Sequence, residues 1–172
     1  MKKYFSGAAA RFLFPVLVAS APLALTSCSK DATVEVKQDF SAADDATIQK
    51  YLTDNKITNA KKQPSGLYYV PNITNPNGSQ ATAGRQVSVL YTGTLLDGTV
   101  FDASSQHGNT PITFTLGARQ VIPGWDEGIA LMKKSEKSIL LIPSGLAYGA
   151  KAAGSIPPNS VLRFEVELTN IQ

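Results

Sequence analysis

The chain has 172 residues, 43% of them hydrophobic, which suits one globular core with appended segments. Its formal charge of +3 is local: Lys2, Lys3 and Arg11 lie in the first 27 residues, which hold no acid, and the remainder balances 13 basic against 13 acidic residues. A clustered basic surface for phosphate is thereby excluded, so no nucleic-acid partner is expected.

The first segment is basic at its start and then apolar from Phe12 to Leu25, a run of 14 residues broken by Pro15 and Pro22. A spanning helix needs about 20 apolar residues, so the run reads as an export signal over 1–27. It ends in Leu25-Thr26-Ser27-Cys28, which resembles the bacterial lipobox. The resemblance implies acylation of Cys28 and a lipid anchor in the cell envelope, where several buried acyl chains hold a protein stably. Ser29, rather than Asp, after the cysteine suits outer-membrane sorting. The plainer alternative for Cys28 is a small apolar residue or a lone thiol, since the chain has a single cysteine and no internal disulfide to make.

Residues 28–43 are small and polar, with little to bury, and read as a tether. In 44–64, Asp44 and Asp45 are placed to cap a helix running to about Asn55, with Ile48, Tyr51 and Leu52 on one face. A helix so short must dock, on the following domain or on a second copy, and a monomer is expected.

From Ser65 the period becomes two. Leu67 to Val70 reads as a strand, and Val87, Val89 and Tyr91 form the apolar face of another. Asp97-Gly98 predicts a tight type I′ hairpin turn that sets Tyr91 and Phe101 on adjacent strands. A polar loop over 103–110 precedes a strand from Ile112 to Leu116. Pro123 opens a helix from Gly124 to Met132 with Trp125, Ile129 and Met132 on one face and Asp126 and Glu127 near its N-terminal end. Ser138 to Ile142 is apolar enough to be buried on both faces. Leu162, Phe164, Val166 and Leu168 alternate with Arg163, Glu165, Glu167 and Thr169 in a half-buried final strand. The fold class expected is α+β, an antiparallel sheet wrapped around one short helix, over 65–172.

Familiar catalytic constellations are missing from this pattern. His107 is the single histidine and reads as a solvated loop residue, so no metal is expected. Ser144 has no evident base, and phosphate-binding glycine loops are absent, which disfavours hydrolysis and phosphoryl transfer; no cofactor is expected.

Five short strings remain, in order and in register: Tyr91-Thr92-Gly93, Gly98-Thr99-Val100-Phe101-Asp102, Val121-Ile122-Pro123-Gly124-Trp125, Ala147-Tyr148-Gly149 and Ile156-Pro157-Pro158. Together they resemble the FKBP family of peptidyl-prolyl isomerases over residues 65 to 172. The resemblance implies a pocket lined by Tyr91, Phe101, Val121, Ile122, Trp125, Tyr148, Ile156 and Phe164, with Trp125 as its floor and Ile112 on its wall. It further implies that the Ile122 N–H and the Tyr148 hydroxyl bind substrate carbonyls and that Asp102 orients and polarises the site. Taken without the resemblance, the apolar members are ordinary core residues, and Asp102 is a cap for the Ser104-Ser105 turn.

Such chemistry needs no nucleophile. Amide resonance holds the X-Pro bond planar and dipolar, and twisting it removes that dipole. An apolar, water-poor pocket therefore disfavours the planar ground state more than the twisted transition state. Ile112 departs from the aromatic residue that the family often carries there, Lys151 to Ser155 is short and small, and Ser135 replaces a usual glycine. The expected partners are proline-containing or unfolded polypeptides, with macrolides of the rapamycin type entering the same pocket. A noncatalytic chaperone using the same groove is the alternative.

Overall fold

Seven segments between 61 and 172 form strands, and the way these pair decides where the cavity lies. A computed structural model describes residues 41–172. The export signal, Cys28 and the tether up to residue 40 lie outside the described residues. In chain order the elements are α1 (Ser41–Asp54), β1 (Lys61–Lys62), β2 (Tyr68–Ile73), β3 (Gln86–Leu95), β4 (Val100–Ala103), β5 (Ile112–Thr115), α2 (Pro123–Ala130), β6 (Lys137–Ile142) and β7 (Leu162–Ile171). Single 3-10 turns occupy Ser104–His107 and Ser144–Leu146.

The seven strands form one antiparallel sheet in the order β1-β2-β6-β7-β3-β4, with β5 pairing the other half of β3. The edge beside β3 is thus shared, β4 covering Thr92 to Thr94 and β5 covering Gln86 to Val89. The predicted alternation in β7 is observed: Leu162, Phe164, Val166 and Leu168 are buried, opposite β3 and β6. On the same face Val87, Val89, Leu140 and Ile142 meet Trp125, Ile129 and Met132 from α2 and its exit. α2 lies unusually close to β6 because of two glycines one turn apart. A Cβ on Gly124 would sit 2.4 Å from Ile142 Cγ2, and one on Gly128 would sit 2.6 Å from Leu140 Cδ1.

β2 and β6 bury their second face as well. Tyr68, Val70 and Leu141, with Val161, pack against Ile48 and Leu52 of α1, so this helix docks on the domain that follows it. α1 spans Ser41–Asp54, so Asp44 sits inside its first turn and Asp45 just after it, and neither caps the helix. Asp45 accepts a hydrogen bond from the Tyr68 hydroxyl (2.7 Å) and pairs with Lys62.

The hairpin joins the expected strands, but its turn is not type I′. That type needs positive φ at both central residues, and of Asp97 and Gly98 only the glycine has it (91°). Gly98 N–H donates to Leu95 O (3.1 Å) and Leu95 N–H to Thr99 O (2.9 Å), a turn closed through a left-handed glycine bulge. The Asp97 carboxylate instead accepts from Thr99 N–H. Ser135, where a glycine was expected, holds φ 68°, a strained left-handed position for a residue with a Cβ.

Candidate active site

Six segments converge on one cavity of about 450 Å³: β3, the hairpin arm β4, the start of β5, the loop entering α2 with its first turn, the segment 148–156 and β7. Trp125 lies at its centre, brought there by the first turn of α2, and is only 4% exposed. Its ring makes edge-to-face contacts with Tyr91 (5.1 Å between centroids, 77°) and Phe164 (5.2 Å, 83°). Phe101 meets Phe164 in the same way (5.4 Å, 82°). Such edge-to-face packing holds the rings in fixed orientations and leaves an apolar, preformed hollow.

The meeting of Phe101 and Phe164 depends on Gly93. This residue pairs with Phe164 on β7 and with Asp102 on β4. A Cβ there would fall 2.6 Å from Phe101 Cε2 and 2.7 Å from Phe164 Cε1. The third residue of the Tyr-Thr-Gly string is therefore small because two pocket rings fill its space.

Every residue expected at the site borders this cavity: Tyr91, Phe101, Asp102, Ile112, Val121, Ile122, Trp125, Tyr148, Ile156 and Phe164. Ile112 and Tyr148 stand at the rim, 39% and 42% exposed. Ala153, Gly154 and Ser155, from the short segment singled out in the sequence, and Gln120, which was not foreseen, complete the lining. Gln120 shows why: its carboxamide accepts from Thr115 N–H (2.8 Å), a pairing between β5 and the following loop that no local pattern announces. Asp126 works similarly. Its carboxylate accepts from the Gly117 and Arg119 N–H groups (2.8 and 3.1 Å), fixing the loop that leads into Val121 and Ile122.

Polar groups at the rim are few and distinct. The Ile122 carbonyl starts α2 by accepting from Trp125 N–H (2.9 Å) and Asp126 N–H (3.3 Å), whereas among the described residues its own N–H meets no acceptor. The Tyr148 hydroxyl also has no partner among the described residues. Both are donors available to a ligand oxygen.

Asp102 does not cap the turn that follows it. Its Oδ2 accepts from the Tyr91 hydroxyl (2.6 Å) and its Oδ1 from His107 Nε2 (2.8 Å). His107 is exposed, as expected, yet it is bound to the site rather than idle, because the 3-10 turn Ser104–His107 folds it back over the carboxylate. Partial burial raises the Asp102 pKa, but the hydrogen bonds from Tyr91, His107 and the Ala103 amide outweigh it and hold the carboxyl below its usual range. Tyr91 shows the reverse balance. Burial first, then the bond to anionic Asp102, pushes its hydroxyl up to about 12. The site thus carries a stable carboxylate and a neutral phenol across the physiological range. Among the described residues no group of three His, Cys, Asp or Glu side chains is arranged to hold a metal.

Residues 77–169 match the family model for FKBP-type peptidyl-prolyl cis-trans isomerase. The chain is 47% identical over 125 residues to the FKBP-type peptidyl-prolyl cis-trans isomerase FkpA of Aeromonas hydrophila, covering 72% of this chain and 45% of that one. It is 46% identical over 107 residues to an FK506-binding protein of Neisseria meningitidis serogroup C, covering 62% of this chain and 97% of the relative. Among solved structures, the crystal structure of FkpA from Escherichia coli is similar with a TM-score of 0.66 at 38% identity, over 77% of this chain and 61% of the other. The chain therefore spans less than half of the Aeromonas relative and nearly the whole of the Neisseria one.

Proposed function

This chain belongs to the FKBP-type peptidyl-prolyl cis-trans isomerase family, and from that premise we propose that the whole protein is a lipid-anchored isomerase of the bacterial cell envelope, most simply of the outer membrane, that assists folding of exported polypeptides. The observation that carries the catalytic reading is the pocket itself: an aromatic hollow around Trp125 with one carboxylate, one free backbone donor and one free hydroxyl at its rim.

The proline ring of a substrate sits on Trp125 between Tyr91, Phe101 and Phe164. Water leaves the ring's surroundings, and the planar, dipolar amide loses more hydration than the twisted one. The Ile122 N–H binds a carbonyl of the substrate and fixes the chain on one side of the bond. Tyr148 binds another carbonyl from the opposite rim. Asp102, held anionic by Tyr91 and His107, keeps the Tyr91 ring in place against the hollow. A rate gain of roughly 10⁵ asks for about 7 kcal/mol of differential stabilisation, within reach of burial and two or three hydrogen bonds. A macrolide of the rapamycin or FK506 type would enter the same hollow by the same apolar contacts.

The anchoring half of the proposal rests on Leu25-Thr26-Ser27-Cys28 behind a short apolar run. Cys28→Ser is expected to move the protein from the membrane to the soluble fraction; unchanged fractionation overturns the anchor. For the monomer we expect a sedimentation mass of one chain in detergent. The catalytic half is tested by isomerisation of a proline-containing peptide by the full chain in detergent, beside Asp102→Ala and Tyr148→Phe. Wild-type turnover that falls about 10- to 100-fold in Asp102→Ala, and less in Tyr148→Phe, is expected. A folded wild type without turnover that still suppresses client aggregation would instead make the groove a chaperone surface.

A further inference from the structure

α1 lies outside the stretch that matches the family model, yet it reaches the loop that carries Tyr148. Asp44, in its first turn, is 5% exposed. A buried carboxylate is costly unless hydrogen bonds replace its water. Its Oδ2 accepts two of them, from the Ser144 backbone N–H (2.8 Å) and the Ser144 hydroxyl (2.7 Å), across 100 residues of sequence. Neither bond goes to β2 or β6, the strands on which the apolar face of α1 rests.

Ser144 passes the constraint on. Its carbonyl accepts from Ala147 N–H (3.0 Å) and Gly149 N–H (2.9 Å), the two amides that flank Tyr148. The backbone between them is irregular: Ala147 has φ −124° and ψ −116°, outside the regular helix and strand regions, and Gly149 is left-handed at φ 59°. Outside the repeating structures the path of this segment is set by the bonds around it. The far side is held as well, by Asn159 N–H donating to Gly149 O (2.7 Å).

We propose that Asp44 is a positioning residue for the isomerase reaction, acting through Ser144 to hold the Tyr148 hydroxyl over the cavity. This rests on the isomerase reading given above. The helix that precedes the stretch matching the family model is then part of the catalytic unit and no mere spacer before it.

The test compares Asp44→Ala and Asp44→Asn with Leu52→Ala, which weakens the docking of the same helix without touching Ser144, all in the full chain in detergent. Peptide isomerisation is measured in wild-type and Tyr148→Phe backgrounds, and the backbone amide resonances of 147–149 are followed by NMR. Asp44→Ala is expected to lower kcat/KM about three- to tenfold, and Asp44→Asn, which retains one acceptor, by less. The loop amides shift in both. In the Tyr148→Phe background the loss shrinks to below about twofold, because the group being positioned is gone. Full multiplication of the two losses, an equal loss in Leu52→Ala, or unchanged loop resonances in Asp44→Ala would each overturn the proposal. If Asp44→Ala does not fold, Asp44→Asn alone decides by the same two readouts. A wild type without turnover defeats the isomerase reading, whereas an active wild type with unimpaired Asp44 variants defeats only this one.

Discussion

Two apolar clusters lie on opposite faces of β2 and β6. Against α1, Ile48, Leu52, Tyr68, Val70, Leu141 and Val161 pack together, and the hollow of about 570 Å³ beside them is bordered mainly by polar groups, among them Gln49, Thr53, Lys56 and Lys62. Against α2, a larger cluster built from β3, β6 and β7 ends in rings that reach solvent: Tyr91 and Phe101 are only partly buried. Ring content and coverage both separate them: Phe114, Trp125 and Phe164 belong to the α2 side alone. α2 has eight residues and extends about 12 Å, whereas the ten-residue β7 extends about 33 Å. The uncovered stretch of sheet is where the loops meet, and there the cavity forms. The opening beside the 14-residue α1 carries a single aromatic side chain, Tyr68, against five in the cavity at α2.

The sharpest way to break this contrast is to damage the cluster against α1. Leu141→Ala removes a side chain with no exposed surface and should cost about 2–5 kcal/mol in urea unfolding. Its kcat/KM, measured on folded protein, should stay within about twofold of wild type. A large activity loss would mean that the two faces are not separable in this way.

Gly93→Ala probes the open face. The added methyl must displace Phe101 or Phe164, at about 1–3 kcal/mol of stability, and the displaced ring should widen the hollow and lower kcat/KM. Stability lost with isomerisation intact would show that the ring positions are not what the reaction reads.

The smallest expected effect is in pH. Tyr91 ionises near pH 12 in the folded chain against about 10 when unfolded. The raised value contributes stability that is fully present below pH 10 and is lost as pH rises through about 12. Asp102 is lowered, so its contribution is present above the unfolded carboxylate value and is lost as pH falls through the folded one. Its side chain is 41% exposed, which keeps that contribution small. Unfolding midpoints should therefore be insensitive to both groups between pH 5 and 10, and Tyr91→Phe should flatten the alkaline fall. An alkaline limb that Tyr91→Phe leaves unchanged would refute the assignment.

Much of this was legible in the residues. The alternation of β7, the buried β6 and the apolar face of α2 follow from side-chain periods of 2 and 3.6 residues, which are local properties of the backbone. The ring cluster was reached through short strings carried by family resemblance, since a phenylalanine on a strand looks the same whether it fills a core or lines a hollow. What stayed hidden was non-local. Asp44 and Asp45 had the pattern of helix caps, but their best hydrogen-bond donors came from Ser144, Lys62 and Tyr68. His107 looked idle because its partner is set by a turn. Asp97-Gly98 specified a hairpin and not its turn type, because Gly98 serves equally as the left-handed residue of a bulged turn, and the pairing of Leu95 with Thr99 closed that one.

The amino-acid sequence by itself determined which residues form strands and helices and which faces are apolar, because each depends on side-chain type and spacing along one segment, while the burial chemistry came with the family resemblance. Tertiary structure alone decided which carboxylate is exposed and which is buried, which helix leaves its sheet uncovered, and which distant segments hold Asp102 and Tyr148 in place. Those outcomes depend on donors and rings brought together across as many as 100 residues, where only the closing of the sheet sets the distance.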